Sequence, residues 1–239
     1  SSLPLLALPI LARHLAESRA FRPSSVRPPL ATALRGGHAR HFWPMAGLSF
    51  ALAAFSGPAA NFILVRLVND LGWTQGPAAL MLAIVSTPAV VLGLLVGGRT
   101  ADIAGRRPTQ AVSIVIGITG TLLFYFSESS YALGFGIFLS VLGASSFGPA
   151  FASQRAELFP TGVRATATAW LTNAAIVGGL VGFLAGRFVI DAWGVPVTIA
   201  SLSGVLAVAS LLLVWLPETR GTSLTEPVDP LESPGAMPA

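Results

Sequence analysis

The chain is divided into long stretches that hold no Asp, Glu, Lys or Arg. Six such windows run 42–65, 71–98, 108–127, 129–154, 165–186 and 192–217, with 24, 28, 20, 26, 22 and 26 residues. A helix rises ~1.5 Å per residue and needs about 20 apolar residues to cross ~30 Å of hydrocarbon. Each window fits one crossing and none is long enough for two. Inside hydrocarbon every backbone N–H and C=O must be satisfied within the segment or within a closed barrel. Barrel strands would alternate over ~10 residues, and the windows show no such alternation. The pattern predicts an all-α integral membrane protein, a bundle of six transmembrane helices over residues 42–217.

Composition agrees and removes rival classes. The chain is 53% hydrophobic and 10% charged, where a soluble domain carries about 25% charged residues. A mean hydropathy of +0.74 excludes a soluble enzyme, a nucleic-acid module and a disordered chain. There is no Cys, and all 14 basic residues are Arg. Thiolate metal sites, Schiff-base chemistry and the phosphate-loop lysine are therefore absent. The three histidines, 14, 38 and 41, have no metal-binding spacing on one helix. No metal, cofactor or nucleic acid is expected.

Arginine sets the orientation. If the segment before Phe42 is cytoplasmic, Arg13, Arg19, Arg22, Arg27, Arg35, Arg40, Arg99, Arg106, Arg107, Arg155, Arg164 and Arg220 lie inside. Arg66 and Arg187 alone lie outside. That asymmetry is a strong positive-inside signal. It predicts a multi-pass protein of the cytoplasmic (plasma) membrane with both chain ends inside.

Residues 1–12 are apolar but too short to span, and their first arginine follows the run rather than preceding it, unlike a signal peptide. Residues 1–19 read as the end of a preceding transmembrane helix. Residues 20–41, rich in Pro, Ser, Gly and Arg, read as a cytoplasmic linker. Residues 218–239 read as a cytoplasmic tail that is expected to be disordered.

Three charged clusters stand at the predicted inner face. The first is Gly98-Arg-Thr-Ala-Asp102-Ile-Ala-Gly105-Arg106-Arg107, linking the second and third spans. The second is Arg155-Ala-Glu157-Leu-Phe-Pro160-Thr-Gly-Val-Arg164, linking the fourth and fifth. The third, Pro217-Glu218-Thr-Arg220-Gly221, follows the sixth. Arginines at inner loops orient any membrane protein, so topology alone explains part of this pattern. The order and placement of the clusters add something specific. They resemble, in turn, the G-x-x-x-D-x-x-G-R-R loop, the E-x-x-P-x-x-x-R loop and the P-E-T-K/R-G signature of the major facilitator superfamily, in its sugar-porter-like branch. Glu17-Ser18-Arg19-Ala20-Phe21 resembles the P-E-S-P-R-W/F segment without its prolines.

The resemblance covers roughly residues 1–222. It implies the C-terminal half of the major facilitator fold, with six more helices before Ser1. It also implies a cytoplasmic gate made of Gly98, Asp102, Gly105, Arg106, Arg107, Glu157, Arg164, Glu218 and Arg220. Asp102 is expected near the N-terminus of the fifth span, around Ala165, where helix-end N–H groups favour an anion. Arg106 or Arg107 is expected to meet Glu157, and Glu218 a base such as Arg164. These pairs would latch one side and break as one half rocks against the other.

Transporter sites lie near the bilayer midplane, where helices are interrupted. Ser56-Gly57-Pro58 falls at mid-depth of the first span and is expected to kink it. Asn61 follows one turn later. Sugar porters carry Q-Q-x-S-G-I-N in a similar stretch, but here Ala53 and Ala54 replace the glutamines. The amide donors for sugar hydroxyls are gone. Ser56, Asn61, Trp170 and Asn173 are the candidate solute-lining residues, although Ser and Thr in membranes often bond their own helix backbone. Gly178, Gly182 and Gly186, and Gly93 with Gly97, have the spacing that lets helices approach closely. Arg66 and Asp70 are spaced to pair at the outer end of the first span.

The expected function is secondary active transport of a small organic solute by alternating access, coupled to a proton or another ion. The partners expected are that solute, the lipid bilayer and the absent N-terminal half. No acid lies inside any window, so a proton-coupling carboxylate is expected in that half. Two alternatives stay open: a receptor of the same fold that binds without transporting, and a half-size protein that works as a homodimer. An intramembrane enzyme lacks its motifs here, with no H-E-x-x-H and no G-x-S-x-G.

Overall fold

The computed structural model describes residues 32–221. The expected preceding helix over 1–19, the linker up to residue 31 and the tail from 222 onward lie outside the described residues. Among the described residues every regular element is helical.

Two short 3-10 turns, Thr32–Leu34 and Gly36–His38, lead into α1 (Ala39–Val65). A π turn, Arg66–Asp70, extends α1 at its far end. Then come α2 (Gln75–Ala104), α3 (Arg106–Phe126), α4 (Ser130–Leu158) and α5 (Thr161–Ala209), closed by a 3-10 turn Ser210–Trp215. At ~1.5 Å per residue the 49 residues of α5 would reach more than twice across a bilayer. They do not run straight. Gly194 has φ 78° and ψ 172°, far from helical, and a Cβ on Gly186 would sit 3.5 Å from the Thr198 methyl. Residues twelve apart touch only if the helix folds back, so α5 is two antiparallel arms hinged at Gly194. With α1 to α4 they make six membrane-length rods. Only glycine reaches that φ without strain, and Pro196 cannot continue the first arm's hydrogen bonding.

The second and third spans meet more tightly than expected. The cluster linking the second and third spans is itself helical: α2 continues through Gly98 and Asp102 to Ala104, and α3 starts at Arg106. A single residue, Gly105 with φ 112°, makes the reversal. Charge ends a hydrocarbon window without ending a helix, because Arg and Asp are compatible with helical backbone once it reaches the interface. Pro58 lies inside a continuous α1.

The bundle packs through small residues rather than a large apolar core. Only 11% of the most apolar stretch of α2 is buried. Leu92, Leu95, Ile176, Leu180 and Leu211 face outward, as suits surfaces bathed in lipid or covered by further protein. Where helices do meet, glycine permits it. A Cβ on Gly178 or Gly182 would collide with the α1 backbone at Phe50 and Ala54, and one on Gly93 or Gly97 with α4 near Ser145 and Ser146. Pro58 has no N–H to give the Ala54 carbonyl, and the Gly182 Cα packs against that carbonyl, a close approach of the Cα–H···O type. Few polar ties add to this. Tyr125 Oη donates to the Ala59 carbonyl at 2.7 Å, joining α3 to α1. The Thr121 and Ser140 hydroxyls bond at 2.8 Å, joining α3 to α4.

Candidate functional site

The arginine-rich end of the bundle gathers four charged residues into one network. Arg106, the first residue of α3, is its hub. Its Nη2 donates to Glu157 Oε1 at 2.8 Å and its Nε to Glu157 Oε2 at 3.3 Å. The planar fork of guanidinium matches a carboxylate in this bidentate way. Nη1 donates to Asp102 Oδ1 at 2.9 Å and to the Ala101 carbonyl at 2.6 Å. The Arg106 and Glu157 side chains are 11% and 9% exposed, whereas Asp102 is 73% exposed. The Arg106–Glu157 pair is thus the desolvated one, and the Asp102 pair is a surface i, i+4 contact.

Glu218 completes the network from the other end of the chain. Its Oε1 accepts the Arg106 backbone N–H at 2.8 Å and its Oε2 the Arg107 N–H at 3.0 Å. The N–H groups of Thr219 and Arg220 add bonds of 3.1 and 3.2 Å to Oε1. No side chain of its own caps α3, so its first N–H groups would be orphans. Glu218 satisfies two of them and lies on the positive end of the helix dipole. Partial burial raises the Glu218 pKa, but the four N–H donors outweigh it and hold the carboxyl below its ordinary value. Gly105 makes room: a Cβ there would meet the Glu218 carboxylate at 2.8 to 3.1 Å. Thr219 Oγ1 donates to Glu157 Oε2, and Arg107 Nη2 donates to the Val214 carbonyl at 3.2 Å. Together α2, α3, α4 and the segment after α5 are fastened at one end.

Two expected pairings are corrected. Asp102, near the end of α2, pairs with Arg106 across the Gly105 turn and faces outward, not the fifth span near Ala165. The Gly105 reversal brings the start of α3 back beside the end of α2, so Arg106 reaches both Asp102 and the Ala101 carbonyl. Glu218 meets backbone N–H groups rather than Arg164, whose Nε donates to the Phe159 carbonyl at 3.1 Å. That bond closes the turn between α4 and α5 and keeps the guanidinium there. The Arg220 side chain is exposed, and Gly98 has open space at its Cβ position.

Two buried amides in this end have no place in the charge pattern. Gln110 Nε2 donates to Gln154 Oε1 at 2.8 Å, and Gln154 Nε2 donates to the Pro217 carbonyl at 3.1 Å. Both glutamines are fully buried, and Gln110 Oε1 has no partner. The signal for them was present in the sequence: each is an amide inside an apolar window, near its arginine-rich end.

The solute-lining candidates do not converge into a formed pocket. Ser56 and Asn61 are exposed on α1, and Trp170 and Asn173 are exposed on the first arm of α5. These two helices are direct neighbours through Gly178 and Gly182. Asn61 Nδ2 is engaged with its own Gly57 carbonyl at 2.8 Å. At the opposite end, Arg66 Nη1 and Asp70 Oδ2 pair at 3.2 Å across the π turn.

The sequence profile of the Major Facilitator Superfamily matches residues 46–234, most of the chain and all six rods. The chain belongs to the major facilitator superfamily. Individual relatives agree. The Escherichia coli inner membrane transport protein YnfM is 29% identical over 71% of this chain and 42% of its own length. Human solute carrier family 22 member 11 is 35% identical over 41% of this chain and 18% of its own. The Arabidopsis thaliana sugar transporter ERD6-like 16 is 28% identical over 46% and 23%. The chain spans less than half the length of these curated relatives. It is a multi-pass helical membrane protein of a transporter family.

Proposed function

We propose that the chain is the C-terminal six-helix half of a secondary transporter, working with an N-terminal half to move a small organic solute by alternating access in the plasma membrane. The observation that carries this is the Arg106 network at one end of a facilitator bundle. It joins separate helices of this half at one end through bonds that must loosen if those helices shift against one another as the transporter opens on that side. The excess of arginine at that end makes it the cytoplasmic side, with both ends of the chain inside. Gly98, Asp102, Gly105, Arg106, Arg107, Glu157, Arg164, Glu218 and Arg220 form the gate region in this reading. Ser56, Asn61, Trp170 and Asn173 line the cavity wall contributed by this half. That wall has Ala53 and Ala54 where sugar porters carry two glutamines, which favours a solute less hydroxylated than a hexose. Ion coupling follows from a protonatable group in the other half, because the six spans here hold no acid.

The test is counterflow in proteoliposomes holding the full-length protein. Vesicles are loaded in turn with glucose, an aromatic carboxylate and a hydrophobic amine, and exchange of each radiolabelled solute is followed without ATP. Saturable exchange of one of them, faster with solute on both sides, is the expected result. Saturable binding with no exchange would overturn the transport reading in favour of a receptor.

A further inference from the structure

A groove opens on the outside of the bundle at its arginine-rich end, away from the ion network. Ala39, Arg40, Trp43 and Pro44 of α1 form one wall, and Leu212 and Trp215 of the closing 3-10 turn form the other. It encloses about 350 Å³. The floor exists because Gly47 has no side chain; a Cβ there would meet the Leu212 Cδ1 at 2.7 Å. Trp43 is 60% and Trp215 71% exposed, so two indoles flank an apolar cleft. Its depth is fixed by its neighbours. Arg107 holds the Val214 carbonyl, and Trp215 lies three residues before Glu218, so the groove sits level with the charged end of the bundle. Tryptophans at that level mark the membrane–water boundary.

The charge of the site is one-sided. Arg40 is its sole ionisable lining residue. Arg40 Nε donates to His41 Nε2 at 3.0 Å, and no described residue accepts from its terminal nitrogens. No acid occurs between residues 32 and 69. A polar solute would need several convergent polar partners in such a site, and this groove has one cation above an apolar cleft. That combination is the complement of a phospholipid with a net negative headgroup.

We propose that this groove binds an anionic phospholipid of the adjacent leaflet, an acyl chain lying between Trp43 and Trp215 and the phosphate on Arg40. The site stands on the membrane-spanning reading of the chain and is independent of which solute is carried.

The test is quenching of tryptophan emission by brominated lipid, with the full-length protein in phosphatidylcholine nanodiscs. Brominated phosphatidylglycerol or brominated phosphatidylcholine is added in increasing mole fraction. The W43F/W215F double variant is subtracted, so the signal reports these two indoles. Half-quenching is expected at about fivefold less phosphatidylglycerol than phosphatidylcholine, the effect of one cation near the headgroup. Arg40→Gln is expected to erase that difference while phosphatidylcholine still quenches. Equal half-quenching by the two lipids in the wild type would overturn the proposal without any variant. So would a preference that persists in Arg40→Gln, or no quenching of these indoles by either lipid, which would mean that another part of the protein covers the groove.

Discussion

Glu218 caps the helix that begins at Arg106, 112 residues earlier in the chain, with its Oε1 2.8 Å from the Arg106 backbone nitrogen. The last span is thereby tied to the start of the third by a carboxylate on a helix dipole. Replacing Glu218 with Ala leaves two N–H groups of α3 uncapped, which costs about 1–2 kcal/mol by analogy with ordinary N-caps. Glu218→Gln keeps an acceptor but loses the charge, and should cost less. The pH dependence follows from the lowered pKa. A carboxyl held below its ordinary value near 4.5 contributes fully at neutral pH and loses its contribution as pH falls below that value. Thermal unfolding in detergent should show the gap between wild type and Glu218→Gln narrowing from pH 7 towards pH 3. A gap that stays constant would mean that the charge is not what matters.

Arg106 and Glu157 should behave as one unit. Removing either leaves the other partly buried without its partner, at about 3 kcal/mol or more. Removing both should cost less than the sum, with a coupling of about 1–3 kcal/mol. Asp102→Asn, at an exposed i, i+4 pair, should change stability by about 0.5 kcal/mol or less. A double-mutant cycle on thermal stability checks this, and additive losses for Arg106→Ala and Glu157→Ala would count against the pair. In the gate reading, Asp102→Asn still slows solute exchange at equal surface expression, because it loosens a latch rather than the fold.

The two glycines of the first cluster should respond in opposite ways. Gly105→Ala places a Cβ at φ 112° and against the Glu218 carboxylate, so it should cost about 1–3 kcal/mol and release the cap. Gly98 lies inside α2 with nothing near its Cβ position. Gly98→Ala should be neutral or gain up to ~1 kcal/mol of helix propensity. Melting curves of the two variants side by side decide it.

This contrast shows where the sequence was legible. Both glycines belong to one motif, and spacing alone treats them alike; only the backbone separates a helix-interior glycine from a turn. The six spans were readable because hydrocarbon forbids unpaired charge, a rule that acts on each window separately. The resemblance implied that Arg106 or Arg107 meets Glu157; that Arg106 is the one depends on the Gly105 turn and was not legible. Nor was the Glu218 cap, because its partners are backbone N–H donors and backbone carries no sequence signal. The same holds for Arg164, whose partner is the Phe159 carbonyl. The fifth and sixth spans were separated correctly by Arg187 and Asp191, yet the hinge itself is Gly194, within the sixth window.

The buried amides make a sharper test of polar accounting. Gln154→Leu strands Gln110 and the Pro217 carbonyl and should cost about 1–3 kcal/mol. Replacing Gln110 and Gln154 together by Leu removes both sides of their bond and should cost less than Gln154→Leu alone. The double variant proving the less stable would show that Gln110 contributes more than its bond to Gln154.

The glycine contact between α1 and the first arm of α5 should tolerate the least. Gly182 abuts the Ala54 backbone, and no rotamer change can make room for a methyl against main chain. Gly182→Ala must therefore push the helices apart, at about 1–3 kcal/mol, and Gly182→Leu should prevent a stable bundle. Gly179, three residues earlier, is the control: a Cβ there meets only the Ala53 carbonyl, at an ordinary 3.9 Å, so Gly179→Ala should be silent. Since Ser56 and Asn173 sit on the two helices that this contact holds together, Gly182→Ala should also alter solute affinity under conditions where the protein remains folded. Comparing thermal stability and exchange kinetics of the two alanine variants tests both statements, and equal behaviour at 179 and 182 would refute the close packing.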